Sequence, residues 1–434
     1  MLAYMCACLA IPAAAQDPSP TINLQEALTR ASRYAGQVQS ANLAVLQARE
    51  DTVQARAARL PSVSAFNQFI YTEANGTPSG VFVANDGVHI YNEQAVVHQE
   101  LLALVRNGEV SRANAAEAVA RAKVEIAARG LNVTVIQDFY AVLTAQRRLA
   151  TTQISVTEAQ RFLEIAQQLQ QGGEVARADV VRAQHELDQR QITLLEAQSA
   201  VEKAKIALGV LIFPTFSIDF TVVDDLDQSV PLASMPDAQA QAAATSPDLK
   251  AASASIKEAG YEIAVARYGY LPSLGVDVFY GINANQFAAR THYPPGSDPP
   301  YRQNLGYAAQ VTLNIPVWNW GTTRSKIKQA ELKRDQAQVD LTQAQRALQG
   351  SLATADAEVR AAQRQLDRLR SAIDSATEIL RLTILRYQAG EAIALEVSDA
   401  QNTVTQTRNA YNDGLARYRI AVATFQTLTG ALLP

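Results

Sequence analysis

The sequence predicts an α+β membrane protein in which a strand-loop-strand plus long α-helical hairpin occurs twice, and three observations carry that expectation. The chain repeats itself about 210 to 220 residues apart: Leu60-Pro61-Ser62-Val63 returns as Leu271-Pro272-Ser273-Leu274, Gly173-Glu174 as Gly390-Glu391, and Leu208-Gly209 as Leu428-Thr429-Gly430. A duplicated unit must be given a fold before the whole. Two stretches, 111–171 and 322–389, hold almost no Gly or Pro, the exceptions being Gly130 and Gly350. Between the helical stretches the apolar period changes from three-to-four to two, which marks half-buried strands.

From the N-terminus, residues 1–15 read as a secretory signal peptide. They carry no charge and end in Pro12-Ala13-Ala14-Ala15, followed by Gln16, a small-residue cleavage pattern. The usual positive first segment is missing, as it would be if the start of the chain is misplaced. Both cysteines, Cys6 and Cys8, fall in this leader, so the processed chain needs no thiol chemistry and suits an envelope compartment. Lipid attachment at either cysteine lacks the Leu-small-small pattern expected before it. The first repeat is placed at 16–209, an irregular inter-repeat segment at 210–245, and the second repeat at 246–434.

Composition excludes several classes. With only 6% aromatic residues the chain favours long helices packed through small side chains. A net charge of −4 argues against nucleic acid as a partner. No run of about 18 apolar residues follows the leader, so strands would have to cross any membrane the protein spans.

The long helices turn at 171–174 and 388–391 and return over about 175–208 and 392–428. The glycines there suit left-handed helix ends. Apolar positions spaced by three and four, as in Leu366, Leu369, Ile373, Ala376, Leu380 and Ile384, mark a narrow seam. Alanine-rich hairpins supply little apolar area per residue and should pack laterally against others.

Strands are expected at about 62–71, 90–101, 274–283 and 306–317. In the third, Leu274, Val276, Val278, Tyr280 and Ile282 share one face while Gly275, Asp277, Phe279, Gly281 and Asn283 share the other. The fourth alternates likewise, and Asn67 and Gln99 interrupt the apolar face of the first two. Such strands, with aromatics such as Phe66, Tyr280, Trp318 and Trp320 at and around them, are the signature of an outer-membrane β-barrel. The competing reading is a soluble sheet covered by helices. Four strands cannot close a membrane barrel, whose smallest form has about eight, so the barrel reading requires an oligomer. In the inter-repeat segment Phe216, Ile218, Phe220 and Val222 suggest a strand outside the membrane, and Asp224-Asp225-Leu226-Asp227 a solvated turn, since no glycine or distal Glu completes a calcium loop.

No catalytic constellation is legible. His89, His98, His185 and His292 lack metal-ligand spacing, and no phosphate loop, dinucleotide fingerprint or nucleophile elbow occurs. His98 is expected on a barrel lumen and His185 on a helix surface. The chain reads as a non-enzyme without a cofactor.

Over about 21–432 the chain resembles the TolC-like outer-membrane efflux proteins. The resemblance rests on the duplicated order of elements, on Leu-Pro-Ser entering the first strand of each repeat, and on Asn314-Ile315-Pro316-Val317-Trp318-Asn319-Trp320-Gly321 leaving the last. It also rests on Tyr387-Gln388-Ala389-Gly390 at the second tip and on Gly430. It implies a homotrimer with a 12-stranded barrel in the outer membrane lipid that continues into a periplasmic α-helical barrel. Its implied role is the exit duct of a tripartite efflux or type I secretion system, energised by an inner-membrane transporter or secretion ATPase through a periplasmic adaptor. A periplasmic adaptor and a structural coiled-coil envelope protein are the alternative functions.

The resemblance also assigns sites. Aligning the tip glycines puts the periplasmic gate at Asp179 and Tyr387, and an acidic constriction ring at Glu396 and Asp399. Gly172, Gly173 and Gly390 mark the hairpin tips that would contact the adaptor. Ala392 stands where the family's best-studied members hold an arginine, and Arg177 or Arg182 could substitute.

Overall fold

The computed structural model describes residues 20–71, 89–228 and 232–432. The leader and most of the loop expected at 72–89 lie outside the described residues. The first half runs β1 (Thr21–Ile22), α1 (Leu24–Tyr34), α2 (Gly36–Ala57), β2 (Ser62–Tyr71), β3 (His89–Leu102), α3 (Leu104–Gln171) and α4 (Arg177–Ile212), followed by β4 (Thr221–Val222). The second half runs α5 (Met235–Thr245), α6 (Pro247–Tyr268), β5 (Ser273–Ala284), β6 (Arg290–His292), β7 (Tyr301–Gln303), β8 (Leu305–Asn314), α7 (Thr322–Gln388) and α8 (Ala394–Thr429).

Local chemistry sets the boundaries. Asn23 Oδ1 accepts from the Glu26 backbone N–H at 2.8 Å and caps α1. At Gly173, Gly390 and Gly430 the backbone enters the left-handed region. The N–H one residue beyond each bonds back five residues, as Glu174 to Leu169, Glu391 to Arg386 and Ala431 to Gln426. Each long helix before a tip, and the last helix, therefore ends in a Schellman-type closure. The fourth strand is shorter than expected, stopping at Asn314 rather than near residue 317. Pro316 has no N–H to donate to a ladder.

Contacts divide the chain into two compact units, each drawing on both halves. One, 40–126 with 247–347, contains a four-stranded antiparallel sheet in the order β2-β3-β5-β8. Its register pairs Leu274 with Leu313, Val276 with Val311, Val278 with Ala309 and Tyr280 with Tyr307, so the apolar alternation forms one continuous face. Gly275, Asp277 and Phe279 oppose Thr312, Gln310 and Ala308 on the other. Gln99, which interrupts the apolar face, satisfies its amide by donating to the carbonyls of Arg59 and Glu100. At Gly281 a Cβ would stand 2.0 Å from the Glu93 carbonyl oxygen, so only glycine admits this approach of β3 to β5. The segment between β5 and β8, expected as loop, holds the short hairpin β6–β7.

The other unit, 1–39 with 127–246 and 348–434, is helical apart from the two-residue strands β1 and β4, which pair in parallel. Its main core gathers Leu28, Leu131, Ile136, Phe139, Leu143, Leu208 and Ile212 around Ile22 and Phe220. The strand expected from Phe216 to Val222 is therefore shorter than the alternation suggested, because only Thr221 and Val222 find a partner. The acidic segment is a turn with Asp224 and Asp227 exposed, as its sequence reading expects, but it also makes contacts that reading lacks. Leu226 is buried, Arg147 pairs with Asp224 at 2.7 Å and Asp227 at 2.6 Å, and the buried Arg419 bonds Asp225 and the Tyr140 hydroxyl. The carboxylates tie the turn to helices, Asp224 and Asp227 while still exposed and Asp225 largely buried, through matches between Asp and Arg far apart in sequence that spacing does not reveal.

Candidate functional site

Both hairpin tips belong to the helical unit, where the ends of α3 and α7 and the starts of α4 and α8 share a small apolar core. Phe162, Leu163 and Ala166 of α3 meet Ala183 and Leu187 of α4, Tyr387 of α7, and Ala394 and Val397 of α8. Tyr387 is only 2% exposed, and its ring centroid lies 5.2 Å from that of Phe162. Its hydroxyl has no hydrogen-bond partner among the described residues. Burial, and secondarily the Asp179 carboxylate, push its pKa up, since both disfavour the phenolate. Asp179 sits half-buried in the first turn of α4, where the helix dipole favours an acid. The charge of Asp179 acts on the Tyr387 hydroxyl, and no hydrogen bond joins the two.

Glu396 and Asp399 are exposed on the first turns of α8. Glu396 Oε1 lies 3.5 Å from the Ile393 backbone N–H, and its Oε2 lies 3.3 Å from Arg386 Nη1. Asp399 has no ion pair among the described residues. Gly172, Gly173 and Gly390 are exposed at the turns, and a Cβ on Gly173 or Gly390 would meet nothing within 4 Å. Ala392 packs against the tip core. Arg177 and Arg182, the proposed substitutes for an arginine there, are exposed and form no ion pair among the described residues. The cation that sequence reading missed is Arg386. It pairs across a turn with a residue ten positions on, outside the three-or-four spacing that exposes helix pairs.

In the sheet unit, His98 of β3 stands directly opposite Asp277 of β5, with Nδ1 2.6 Å from Oδ1. The pair ties a strand of the first repeat to one of the second on the face that carries Gly275 and Gln310. His185 is exposed on α4. No group of three metal-ligating side chains occurs among the described residues, and no described helix is long and apolar enough to cross a membrane. The apolar face instead leaves Val63, Phe69, Tyr280, Tyr307, Val311 and Leu313 exposed, with Trp318 and Trp320 just past β8 at 74% and 88%. Neighbouring exposed apolar side chains on this scale mark a surface made for another phase or partner.

The model of the family described as "Outer membrane efflux protein" matches residues 23–212 and 239–431. This chain belongs to the outer membrane efflux protein family. The two matched segments follow the duplication seen in the sequence. The family is one of non-enzymatic transport at the outer membrane of Gram-negative bacteria.

Among curated relatives, the chain is 27% identical to the pyoverdine export outer membrane protein OpmQ of Pseudomonas putida over 68% of its own length and 61% of OpmQ. It therefore spans less than two thirds of that relative. It is 24% identical to the outer membrane protein TolC of Vibrio cholerae over 88% of its length and 85% of TolC. The solved structure of the outer-membrane channel OprN superposes with a TM-score of 0.78 at 16% identity, covering 94% of this chain and 89% of that one. The TolC-like fold of long helices with four strands per chain is thereby established for this family member, as the duplicated sequence pattern anticipated.

Proposed function

We propose that this protein is the outer-membrane exit duct of a tripartite efflux or type I secretion assembly, working as a homotrimer. The observation that carries the reading is the sheet: among the described residues it ends at β2 and β8 without closing, and one face carries apolar side chains, many of them exposed, at all but a few positions, among them those of Asn67, Glu93 and Gln99. Four strands with two open edges are completed by further copies of the chain, giving a 12-stranded barrel from three, within the even strand numbers that span outer membranes. An inner-membrane transporter or secretion ATPase supplies the energy, and a periplasmic adaptor reaches the tips at Gly172, Gly173 and Gly390. The cargo is what that pump delivers.

In the same reading, the tip is the gate. Asp179 and Tyr387 hold it in its closed arrangement, and Glu396 and Asp399 form an acidic ring that attracts cations. Like charges gathered in a constriction focus the field there. The exposure of both carboxylates and the burial of Tyr387 in the tip core support these roles. The test is fractionation with electrophoresis. The reading expects the protein in the outer-membrane fraction with a mobility that shifts on heating; a soluble periplasmic protein without that shift would contradict it.

A further inference from the structure

Arg386 lies in the last turn of α7, one residue before Tyr387, and its side chain reaches across the turn to α8. Nη2 donates to the Glu391 carbonyl at 3.1 Å, and Nη1 lies 3.3 Å from Glu396 Oε2. Of the two acids assigned to the ring, Glu396 thus has a fixed cation beside it and Asp399 has none among the described residues.

Both partners of the pair are about half exposed, and such pairs contribute little to stability, roughly 0–1 kcal/mol. Their electrostatic effect on a passing ion is larger. A carboxylate with a guanidinium alongside acts as a dipole whose field decays faster than that of a lone charge. Screening confines the field of either to about 8 Å in physiological salt, which is the scale of a narrow pore.

We propose that Arg386 is a selectivity-determining residue: by pairing with Glu396 it cancels that part of the ring and leaves Asp399 as the main uncompensated charge. The inference rests on Glu396 and Asp399 lining the pore. The chain's own cation thereby occupies a different position from the one Ala392 vacates, and it acts on the ring rather than on Asp179.

The test uses the full-length protein in planar bilayers, reading the K⁺/Cl⁻ permeability ratio and block by hexaamminecobalt(III) from the periplasmic side. Arg386→Gln is expected to raise the permeability ratio about threefold and to lower the half-blocking concentration about tenfold, as unmasked charge in a constriction does. Arg386→Lys, which keeps the charge, stays near the wild type, and Arg386→Gln with Glu396→Gln together returns toward it. Should Arg386→Gln not assemble, Arg386→Met, which keeps an unbranched apolar stem, is read in its place. Unchanged selectivity and block in Arg386→Gln, while Asp399→Asn weakens the block, would overturn the role of Arg386 alone. An unchanged block in Asp399→Asn would remove the ring itself, and this inference with it.

Discussion

Tyr387 stacks its ring against Phe162, 5.2 Å away and inclined at 59°, so the end of the second long helix is docked on the first beside both hairpin tips. The contact is apolar, while the hydroxyl at its far end is buried and unpartnered among the described residues. Removing the ring and removing the hydroxyl should therefore have different consequences. Phe162→Ala is expected to cost about 3–5 kcal/mol of local stability through the cavity it leaves. Within one chain Tyr387→Phe should cost the tip fold close to nothing, because the hydroxyl it deletes has no partner there and burial penalises it, so any effect on the gate must come from contacts between chains. Hydrogen exchange of the tip amides distinguishes the two.

The same tyrosine gives a pH dependence. Its folded pKa is raised by burial and by Asp179, so the tip binds that proton more tightly than the unfolded chain does. Its stability is then intact below the unfolded value of about 10 and falls as pH rises beyond it. Tip protection in the wild type should decline above that pH, and Tyr387→Phe should lose this part of the decline.

If Asp179 and Tyr387 gate the tip, Asp179→Ala and Tyr387→Phe should raise single-channel conductance, modestly because Ala392 already removes one link. Conductance equal to wild type in both variants and in the double variant would remove them from the gate. For the ring, replacing Glu396 and Asp399 together by Ala should weaken trivalent-cation block by orders of magnitude while trimers still assemble.

Arg419 is buried among Tyr140, Asp225 and the Gln228 carbonyl. Arg419→Ala would strand the Asp225 carboxylate in that site, at an expected cost of about 3–5 kcal/mol. Heat resistance of the assembled protein should fall accordingly, and adding Asp225→Asn should restore part of it.

Gly281 and Gly306 face each other across β5 and β8 but differ in surroundings. A Cβ at Gly281 would meet Glu93 backbone at 2.0 Å, whereas one at Gly306 meets nothing within 4 Å. Gly281→Ala should lower the yield of assembled protein while Gly306→Ala leaves it unchanged, as measured by heat-modifiable mobility.

The sequence revealed most of what depends on local pattern. Alternation in 274–283 gave the strand, its faces and its partner's faces, and the glycines at 173 and 390 gave the tips, because period and left-handed caps are properties of neighbouring residues. It revealed little of what depends on distant pairing. The ion pairs of the solvated turn at Asp224, Asp225 and Asp227 were not legible, because their partners, Arg147 and Arg419, lie far away along the chain on two different helices. Arg386 was missed for a related reason, since its contact to Glu396 exists only once the turn brings α7 back to α8. The short strand β1 escaped notice because two residues carry no period.

The central claim is that the open four-stranded sheet is completed by other copies of the same chain. Multi-angle light scattering of the protein purified in a mild detergent, corrected for bound detergent, tests it most directly. The account expects the protein mass of three chains, and a mass of one chain would contradict it.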